Sequence, residues 1–226
     1  VSGSADAMFG HTFDGCKSLT SIPENLFAGV TGSAEGMFGF TFEGCTALKS
    51  IPAGLFDGIT GTAEFMFRST FGNCTSLTSL PDGLFKNIEG KPTDSMFTHT
   101  FKGCTKLTGY IPANTFEKMD SMGFNSATMT EIFNGTALAT TCPSGTYQYI
   151  TGFESAWDGH VACTPCPESH PNSVAGSTSQ NQCYTSCTAQ CVQPTCPDNA
   201  TCTYGNETAS GNLYDGTDSC DATAPT

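Results

Sequence analysis

The chain has 226 residues, of which 38% are hydrophobic and 13% charged. It is long enough to bury a core and, with 17 phenylalanines, too apolar to be disordered. The formal net charge of -13 excludes a nucleic-acid partner, because phosphate would be repelled, and no apolar run approaches the ~18 residues that a membrane-spanning helix needs.

Charge and cysteine usage both change near residue 140. Every Lys and Arg precedes that position, together with four of the 13 cysteines, and the remaining cysteines follow it. Such a cysteine density is typical of a disulfide-stabilised module in an oxidising compartment. We therefore predict two domains, a repeat domain at 1–139 and a cysteine-rich region at 140–226, and an extracellular or cell-surface location.

The first region consists of a repeated pattern, M-F-x-x-T-F-x-G-C-T-x-L-T-S-I-P, with a period of 29 or 30 residues. About 4.5 copies fit, because a degenerate fifth copy at "MTEIFNGTAL" keeps Met129, Phe133, Gly135 and Leu138 but lacks the cysteine. The printed sequence begins inside a copy, so we expect it to be a fragment or a processed product. A period of this length predicts a solenoid in which neighbouring copies stack and bury ladders of equivalent residues.

Within each copy the "LTSIP" segment predicts a short strand that ends at proline, which cannot donate to a sheet ladder. The "AExMFxxTF" segment fits either a short helical turn or a second bend. The predicted fold class is a repeat solenoid with short parallel strands, mainly β with irregular turns, followed by a small disulfide-rich region.

The repeated cysteine has two interpretations, packing or cross-linking. Neighbouring strands lie about 4.8 Å apart, a separation that does not forbid a disulfide. The constant position ahead of a leucine favours packing, because a free cysteine behaves as a small buried hydrophobe. We predict four buried free thiols: Cys16, Cys45, Cys74 and Cys104.

The pattern F-x-G-C-T-x-L-T-S-I-P with its M-F dipeptide resembles the BspA-like leucine-rich repeats of bacterial and protist surface proteins, over residues 1–139. The resemblance implies a curved leucine-rich-repeat solenoid with a short-stranded sheet along one face, used for adhesion or binding at a cell surface.

In such a solenoid the positions between the ladder residues of the "LTSIP" segment form a continuous surface for a ligand. Their hydroxyl and ammonium groups suit carbohydrate or an acidic protein, although plain solubility explains them equally well. The candidate binding residues are Lys17, Ser18, Thr20, Lys49, Ser50, Ser76, Thr78, Lys106 and Thr108.

The second region opens with "CPSGTYQYITGFESAWDGHVACTPCPES", which resembles the cysteine-rich modules of growth-factor and tumour-necrosis-factor receptors. The resemblance implies that Cys142 pairs with Cys163 and that Cys166 pairs with Cys183. The five later cysteines cannot all pair among themselves, so one is free or has another partner. We predict oxidation at Cys142, Cys163, Cys166, Cys183, Cys187, Cys191, Cys196, Cys202 and Cys220.

Several cysteines, acidic residues and histidines are candidate metal ligands, and four asparagines are candidate glycosylation sites. Cys163-x-x-Cys166 with Cys187-x-x-x-Cys191 has a zinc-like spacing, but an oxidising context favours disulfides. We predict no metal, with calcium at Asp215–Asp221 as the open alternative, and surface roles for the histidines. Sequons occur at Asn73, Asn134, Asn199 and Asn206, of which Asn73, beside a ladder cysteine, is the poorest acceptor.

No nucleophile elbow, metalloprotease motif or phosphate-binding loop occurs, so we predict no catalytic residues and no cofactor. The predicted function is a non-enzymatic surface protein that binds an extracellular protein or glycan. The alternative is a structural subunit that assembles end to end with further copies of itself, through an uncapped edge.

Overall fold

The structure is a computed structural model that describes residues 5–91, 93–116, 118, 129–150 and 157–184. Most of these residues form turns. The strands are β1 (Ile111–Pro112), β2 (Thr146–Ile150) and β3 (Ala162–Pro165), in one sheet of order β1-β3-β2, and short 3-10 helices cover Ala113–Thr115 and Gln180–Gln182. The described chain is therefore mostly non-helical, with a small sheet and a disulfide-rich region at 142–183.

The described residues divide into two compact units. The first contains 5–142 and 148–164, and the second contains 143–147 and 165–184. Residues 148–150 and 157–164 therefore belong to the same compact unit as the repeats. The reason is apolar packing, because Trp157 and Ala162 are buried in the same core as the repeat residues.

We number the copies repeats 1 to 4, beginning at residues 5, 34, 63 and 93, with repeat 5 at 129–139. In each of repeats 1 to 4 the chain first forms a segment that we call the turn ribbon, at 5–16, 34–45, 63–74 and 93–104. Every second N–H of the first ribbon bonds to a carbonyl three residues earlier, as Gly10 does to Ala7 at 2.8 Å. The intervening N–H groups bond to the next repeat. The segment therefore forms consecutive turns rather than a single helical turn.

The turn ribbons of neighbouring repeats lie side by side in a constant register. Five N–H groups of repeat 1 donate to repeat 2, among them Phe9 to Met37 at 2.9 Å and Phe13 to Thr41 at 2.8 Å. In the described chain no donor reaches the equivalent carbonyls of repeat 1 itself, which belong to Asp6, Met8, Gly10, Thr12 and Asp14. This row is called the acceptor edge below.

The turn ribbon depends on a left-handed residue at every fourth position. In repeat 1 these residues are Ala7, His11 and Gly15, with φ of 50°, 56° and 67°. Glycine adopts such angles without steric cost, whereas other residues do so less readily. The backbone therefore requires glycine before the cysteine in repeats 1, 2 and 4, at 15, 44 and 103, and Gly135 before Thr136 in repeat 5. Asn73 takes this position in repeat 3.

Phenylalanine ladders fill the core of the first compact unit. Phe9, Phe38, Phe67 and Phe97 form one ladder with ring centroids 5.3 to 5.5 Å apart and nearly parallel planes. A second ladder runs through Phe13, Phe42, Phe71, Phe101 and Phe133. A third, Phe27, Phe56, Phe85 and Phe116, contacts the first at tilted or edge-on angles. Such offset and edge-on contacts are the favoured aromatic geometries.

The prediction of a short strand in each "LTSIP" segment is wrong for repeats 1 to 3. Among the described residues, neighbouring segments there share one backbone bond, from Lys49 to Thr20 and from Thr78 to Lys49. A single bond per interface does not make a ladder, and the following proline offers no N–H. Only Ile111–Pro112 of repeat 4 is a strand, because β3 pairs with it in parallel at Ile111 with Ala162.

The register of repeat 5 also differs from the sequence alignment. The backbone N–H of Ser69 donates to the carbonyl of Thr98 in the next repeat, and the N–H of the equivalent His99 donates to the carbonyl of Thr130. Thr130 is therefore the structural equivalent of Thr98. Met129 therefore lies in the place of Phe97 rather than of the repeat methionine. Thr136 stands where the other repeats have cysteine, and its hydroxyl lies 3.2 Å from Nε2 of His160.

Candidate functional site: an exposed lysine and hydroxyl strip

The candidate binding residues lie on one exposed feature of the repeats, which we call the lysine–hydroxyl strip, at 17–21, 46–50, 75–79 and 105–109. The leucine of each segment anchors it: Leu48, Leu77 and Leu107 have 0% exposure, and Leu19 is half-buried. The residues on either side of them therefore point outward. Of the candidate residues, Ser76 is half-buried, and those exposed are Lys17, Ser18, Thr20, Lys49, Ser50, Thr78, Lys106 and Thr108.

A backbone row fixes the centre of the strip. Lys49 donates to Thr20 at 3.2 Å, Thr78 to Lys49 at 3.4 Å and Thr108 to Thr78 at 3.1 Å. The hydroxyls of Thr78 and Thr108 also reach the carbonyls of the preceding repeat, at 3.4 and 3.3 Å. These four positions thus form a regular row, one residue per repeat, whose side chains face solvent.

Among the described residues, the three strip lysines, like Lys91, lack the acidic partners that the remaining lysines have. Lys86 pairs with Asp57 at 3.2 Å, Lys102 with Glu131 at 2.5 Å, and Lys118 with Glu89. Within the described residues, Lys17, Lys49 and Lys106 have no ion pair or hydrogen bond through their ammonium groups. No Asp or Glu occurs in the strip segments, so the strip is cationic in a chain of net charge -13.

The repeat cysteines are hydrogen-bonded packing residues. Cys45, Cys74 and Cys104 have 0% exposure, are free, and donate their thiols to the carbonyls of Phe13, Phe42 and Phe71 of the preceding repeat, at 3.1 to 3.2 Å. Cys16 is free but exposed, contrary to the prediction of burial. The other three thiols each bond to a carbonyl of an earlier repeat, and no such bond from Cys16 occurs among the described residues.

Desolvation makes the buried thiols poor nucleophiles. Burial raises the pKa of Cys45 to about 11 and that of Cys104 to about 12, and it also raises the pKa of Cys74. Since the thiolate is the reactive form, these cysteines are protected from oxidation and are unsuited to catalysis.

A second buried polar row was not predicted from the sequence. Thr41, Thr70 and Thr100 have 0% exposure and donate their hydroxyls to phenylalanine carbonyls of the preceding repeat, as Thr41 does to Phe9 at 2.9 Å. The sequence indicates this row only through the threonine that precedes the second phenylalanine in each of repeats 1 to 4.

The cysteine-rich region contains two disulfides, Cys142–Cys163 and Cys166–Cys183, the pairs that the receptor-like resemblance implies. Cys163 and Cys166 are therefore unavailable as zinc-binding thiolates. The other predicted disulfide cysteines lie outside the described residues: Cys187, Cys191, Cys196, Cys202 and Cys220.

The remaining candidate ligands are dispersed. Among the described residues no three His, Cys, Asp or Glu side chains converge on a metal position. His11 lies 3.0 Å from Asp14 and His99 lies 3.3 Å from Glu131, each within its own cluster. Burial lowers the pKa of His99, and the hydrogen bond from Lys102 lowers the pKa of Glu131. The calcium alternative at Asp215–Asp221 lies outside the described residues.

Two of the sequons can be located. Asn73 is exposed, and its side-chain amide lies 3.5 Å from Glu43. Asn134 is half-buried and directs its amide towards Asp158, at 3.4 Å. Asn199 and Asn206 lie outside the described residues.

Comparison with known proteins gives one local similarity. Residues 133–183 match the model of a family described as tyrosine-protein kinase ephrin type A/B receptor-like. The match covers both disulfides and begins at Phe133, in repeat 5. No curated protein and no solved structure matches the chain. In the part of the chain that the structure describes, no helix has the length and apolar character to cross a membrane.

Proposed function

We propose that the protein is a non-enzymatic binding module that acts outside the cell, and that its repeats form a leucine-rich-repeat-like solenoid with the lysine–hydroxyl strip as the ligand-binding face. Two disulfides and the similarity of residues 133–183 to a receptor-like family support the extracellular location. The ligand is an extracellular protein or glycan.

One observation carries the proposal: three lysines without partners lie on an exposed strip that contains no acidic residue. Lysines that serve solubility alone are free to pair with the many acids of this chain, as Lys86 and Lys102 do. A cationic, hydroxyl-rich strip of regular spacing offers both charge and hydrogen bonds to a ligand.

Steric blocking tests the proposal. The variant S50Q/S79Q adds neutral bulk to the strip, and T31Q/T60Q adds the same bulk at exposed positions elsewhere in repeats 1 and 2. Binding of labelled protein to a panel of immobilised neutral, carboxylated and sulfated glycans and matrix proteins should weaken only for S50Q/S79Q. Absence of binding by the wild type, or equal loss in both variants, would contradict a binding role for the strip.

The acceptor edge favours a second candidate function, assembly of copies into a filament or layer. Five carbonyls in a row are suited to a partner that offers N–H groups at the ribbon spacing. Sedimentation velocity at rising protein concentration tests it: assembly predicts growing particles, and T12P, which distorts the edge, should prevent the growth. A constant sedimentation coefficient across concentrations would reject assembly.

A further inference from the structure

The class of ligand follows from the composition of the lysine–hydroxyl strip. Resting on the proposed function, we infer that the strip binds a polyanionic glycan, a polysaccharide whose sugar units carry sulfate or carboxylate groups.

The first argument is electrostatic. The chain has 21 acidic and 8 basic residues, so an anionic polymer is repelled by the molecule as a whole. Three of the eight cations nevertheless lie on the strip, without a partner among the described residues. A polyanion that follows the strip meets only positive charge and neutral hydroxyls there. Outside the strip, Lys86, Lys102 and Lys118 are already paired with carboxylates, and Lys91 is the one lysine of the described residues without an ion pair.

The second argument is the spacing of the charges. Equivalent rings of neighbouring repeats lie 5.2 to 5.5 Å apart in the second ladder, which measures the step from one repeat to the next. Lys17 and Lys49 belong to adjacent repeats, and Lys106 lies two repeats further on. The Debye length is about 8 Å at physiological ionic strength. One repeat step is shorter than this length, so Lys17 and Lys49 act jointly on a polymer, whereas Lys106, two steps from Lys49, is a separate point of attraction for a more distant anion of the same polymer.

The third argument concerns hydrogen bonds. Ser18 and Thr20 beside Lys17, and Ser50 beside Lys49, are exposed hydroxyls that both donate and accept. Sugar hydroxyls and ring oxygens require this mixture of donors and acceptors. The strip therefore matches the neutral part of a charged glycan as well as its anions.

An acidic protein fits the strip less well. Stable protein interfaces concentrate their affinity in buried Trp, Tyr and Arg anchors. The strip segments contain no Trp, Phe, Tyr or Arg. The adjacent Tyr110 is half-buried against Cys142, Val161 and Cys163 and is thus committed to the fold.

The repeats themselves supply a matched pair of variants. K17T/K49T/K106S replaces each strip lysine by the residue that another repeat has at that position, namely Thr46, Thr20 and Ser18. K86A/K91T/K118N does the same for three lysines outside the strip, for which the equivalent residues of other repeats are Ala28, Thr62 and Asn87. Both variants lose three positive charges, the first on the strip and the second outside it, where the ion pairs of Lys86 and Lys118 are also lost. Thermal unfolding establishes that both remain folded.

The experiment measures binding of the whole chain to immobilised heparin, neutral dextran and poly-glutamate, at low salt and at about 150 mM salt. We expect heparin to bind at least about tenfold more tightly than dextran or poly-glutamate. K17T/K49T/K106S should weaken heparin binding about tenfold or more, whereas K86A/K91T/K118N should stay within about twofold of the wild type.

Each other outcome overturns the inference. Equal weakening of both variants would mean diffuse charge attraction, and strip-dependent binding to poly-glutamate as tight as to heparin would mean an acidic protein ligand. If heparin does not bind while S50Q/S79Q still weakens binding to another ligand of the panel, the glycan class is wrong and the proposed function stands. If neither experiment shows strip-dependent binding, both fail.

Discussion

The four repeat cysteines occupy one sequence position but two environments. Cys45, Cys74 and Cys104 are buried and donate hydrogen bonds to the preceding repeat, whereas Cys16 is exposed. A maleimide reagent should therefore label one thiol of the repeats in the native protein and four after denaturation. Mass mapping of the native adduct should find the label on Cys16, and rapid native labelling of Cys74 would contradict the burial.

The same burial predicts a dependence of stability on pH. Because the folded-state pKa of Cys45 and Cys104 is raised from 9.0 to about 11 and about 12, unfolded thiols ionise at lower pH than folded ones. The contribution of these protonated, buried thiols to the free energy of unfolding is complete below about pH 9. It is lost as the pH rises through their folded-state pKa values. The free energy of unfolding should therefore fall above about pH 9.

Urea denaturation of C16S and C16S/C104T at neutral and alkaline pH measures this effect. Threonine is chosen at position 104 because Thr136 occupies the equivalent position of repeat 5. It retains a hydroxyl donor but has no ionisable thiol. The alkaline loss should be smaller in C16S/C104T, and an identical loss in the two proteins would show that Cys104 does not contribute.

Glycine stabilises the fold at the left-handed positions, which recur at every fourth residue of the turn ribbon. Gly44 has a φ of 68°, and a Cβ there would meet Gly15 at an ordinary 3.6 Å, so the cost of a side chain is conformational. G44A should lower the free energy of unfolding by about 1–2 kcal/mol. Gly54 lies outside the left-handed region, and its Cβ would meet only the movable Asp57 carboxylate, so G54A is the control and should change stability less. Chemical denaturation compares them.

At the scale of the element, the phenylalanine ladders dominate stability. Phe67 has 0% exposure and stacks between Phe38 and Phe97, whereas Phe40 is half-buried and stacks on His11. F67A should lower the free energy of unfolding by about 3–5 kcal/mol, because it leaves a cavity between two rings. F40A should cost clearly less, and equal losses in denaturant melts would contradict the ladder interpretation.

The sequence predicted the period and the stacking of equivalent residues but not the local backbone. Two apolar residues three apart before a proline in "LTSIP" were interpreted as a strand. The repeats instead join mainly through the turn ribbon, whose left-handed residues include Phe40 and Ser69. Bulky residues rarely adopt φ near +55°, so propensity alone argues against this backbone. The glycines before Cys16, Cys45 and Cys104 were the sequence signal for it.

At the scale of the whole molecule, the two disulfides lie in different compact units. Cys142–Cys163 belongs to the unit that contains the repeats, and Cys166–Cys183 belongs to the other. C166S/C183S should therefore destabilise 165–184 by about 2–4 kcal/mol. Hydrogen exchange should rise there and remain unchanged in 36–104, and an equal rise in both segments would show that the units unfold together.

The exposure of the candidate residues was predictable from the sequence, because they lie beside the repeated leucine and before the repeated proline. The absence of ion pairs at Lys17, Lys49 and Lys106 among the described residues was not, since it depends on which acids the folded chain brings near. Likewise, the burial of Trp157 among the repeats depends on contacts between distant parts of the sequence.

The one-way hydrogen bonding of the turn ribbons gives the stack an electric polarity. Between repeats 1 and 2, five ribbon N–H groups point towards repeat 2, against one strip N–H that points back. Peptide dipoles aligned in this way add, as they do along a helix, and leave the negative pole at the acceptor edge. A positive charge is favoured near that pole and a negative charge at the opposite end of the ribbons. Glu131 of repeat 5 carries the favoured charge, whereas Asp6 and Asp14 place negative charge on the acceptor edge itself.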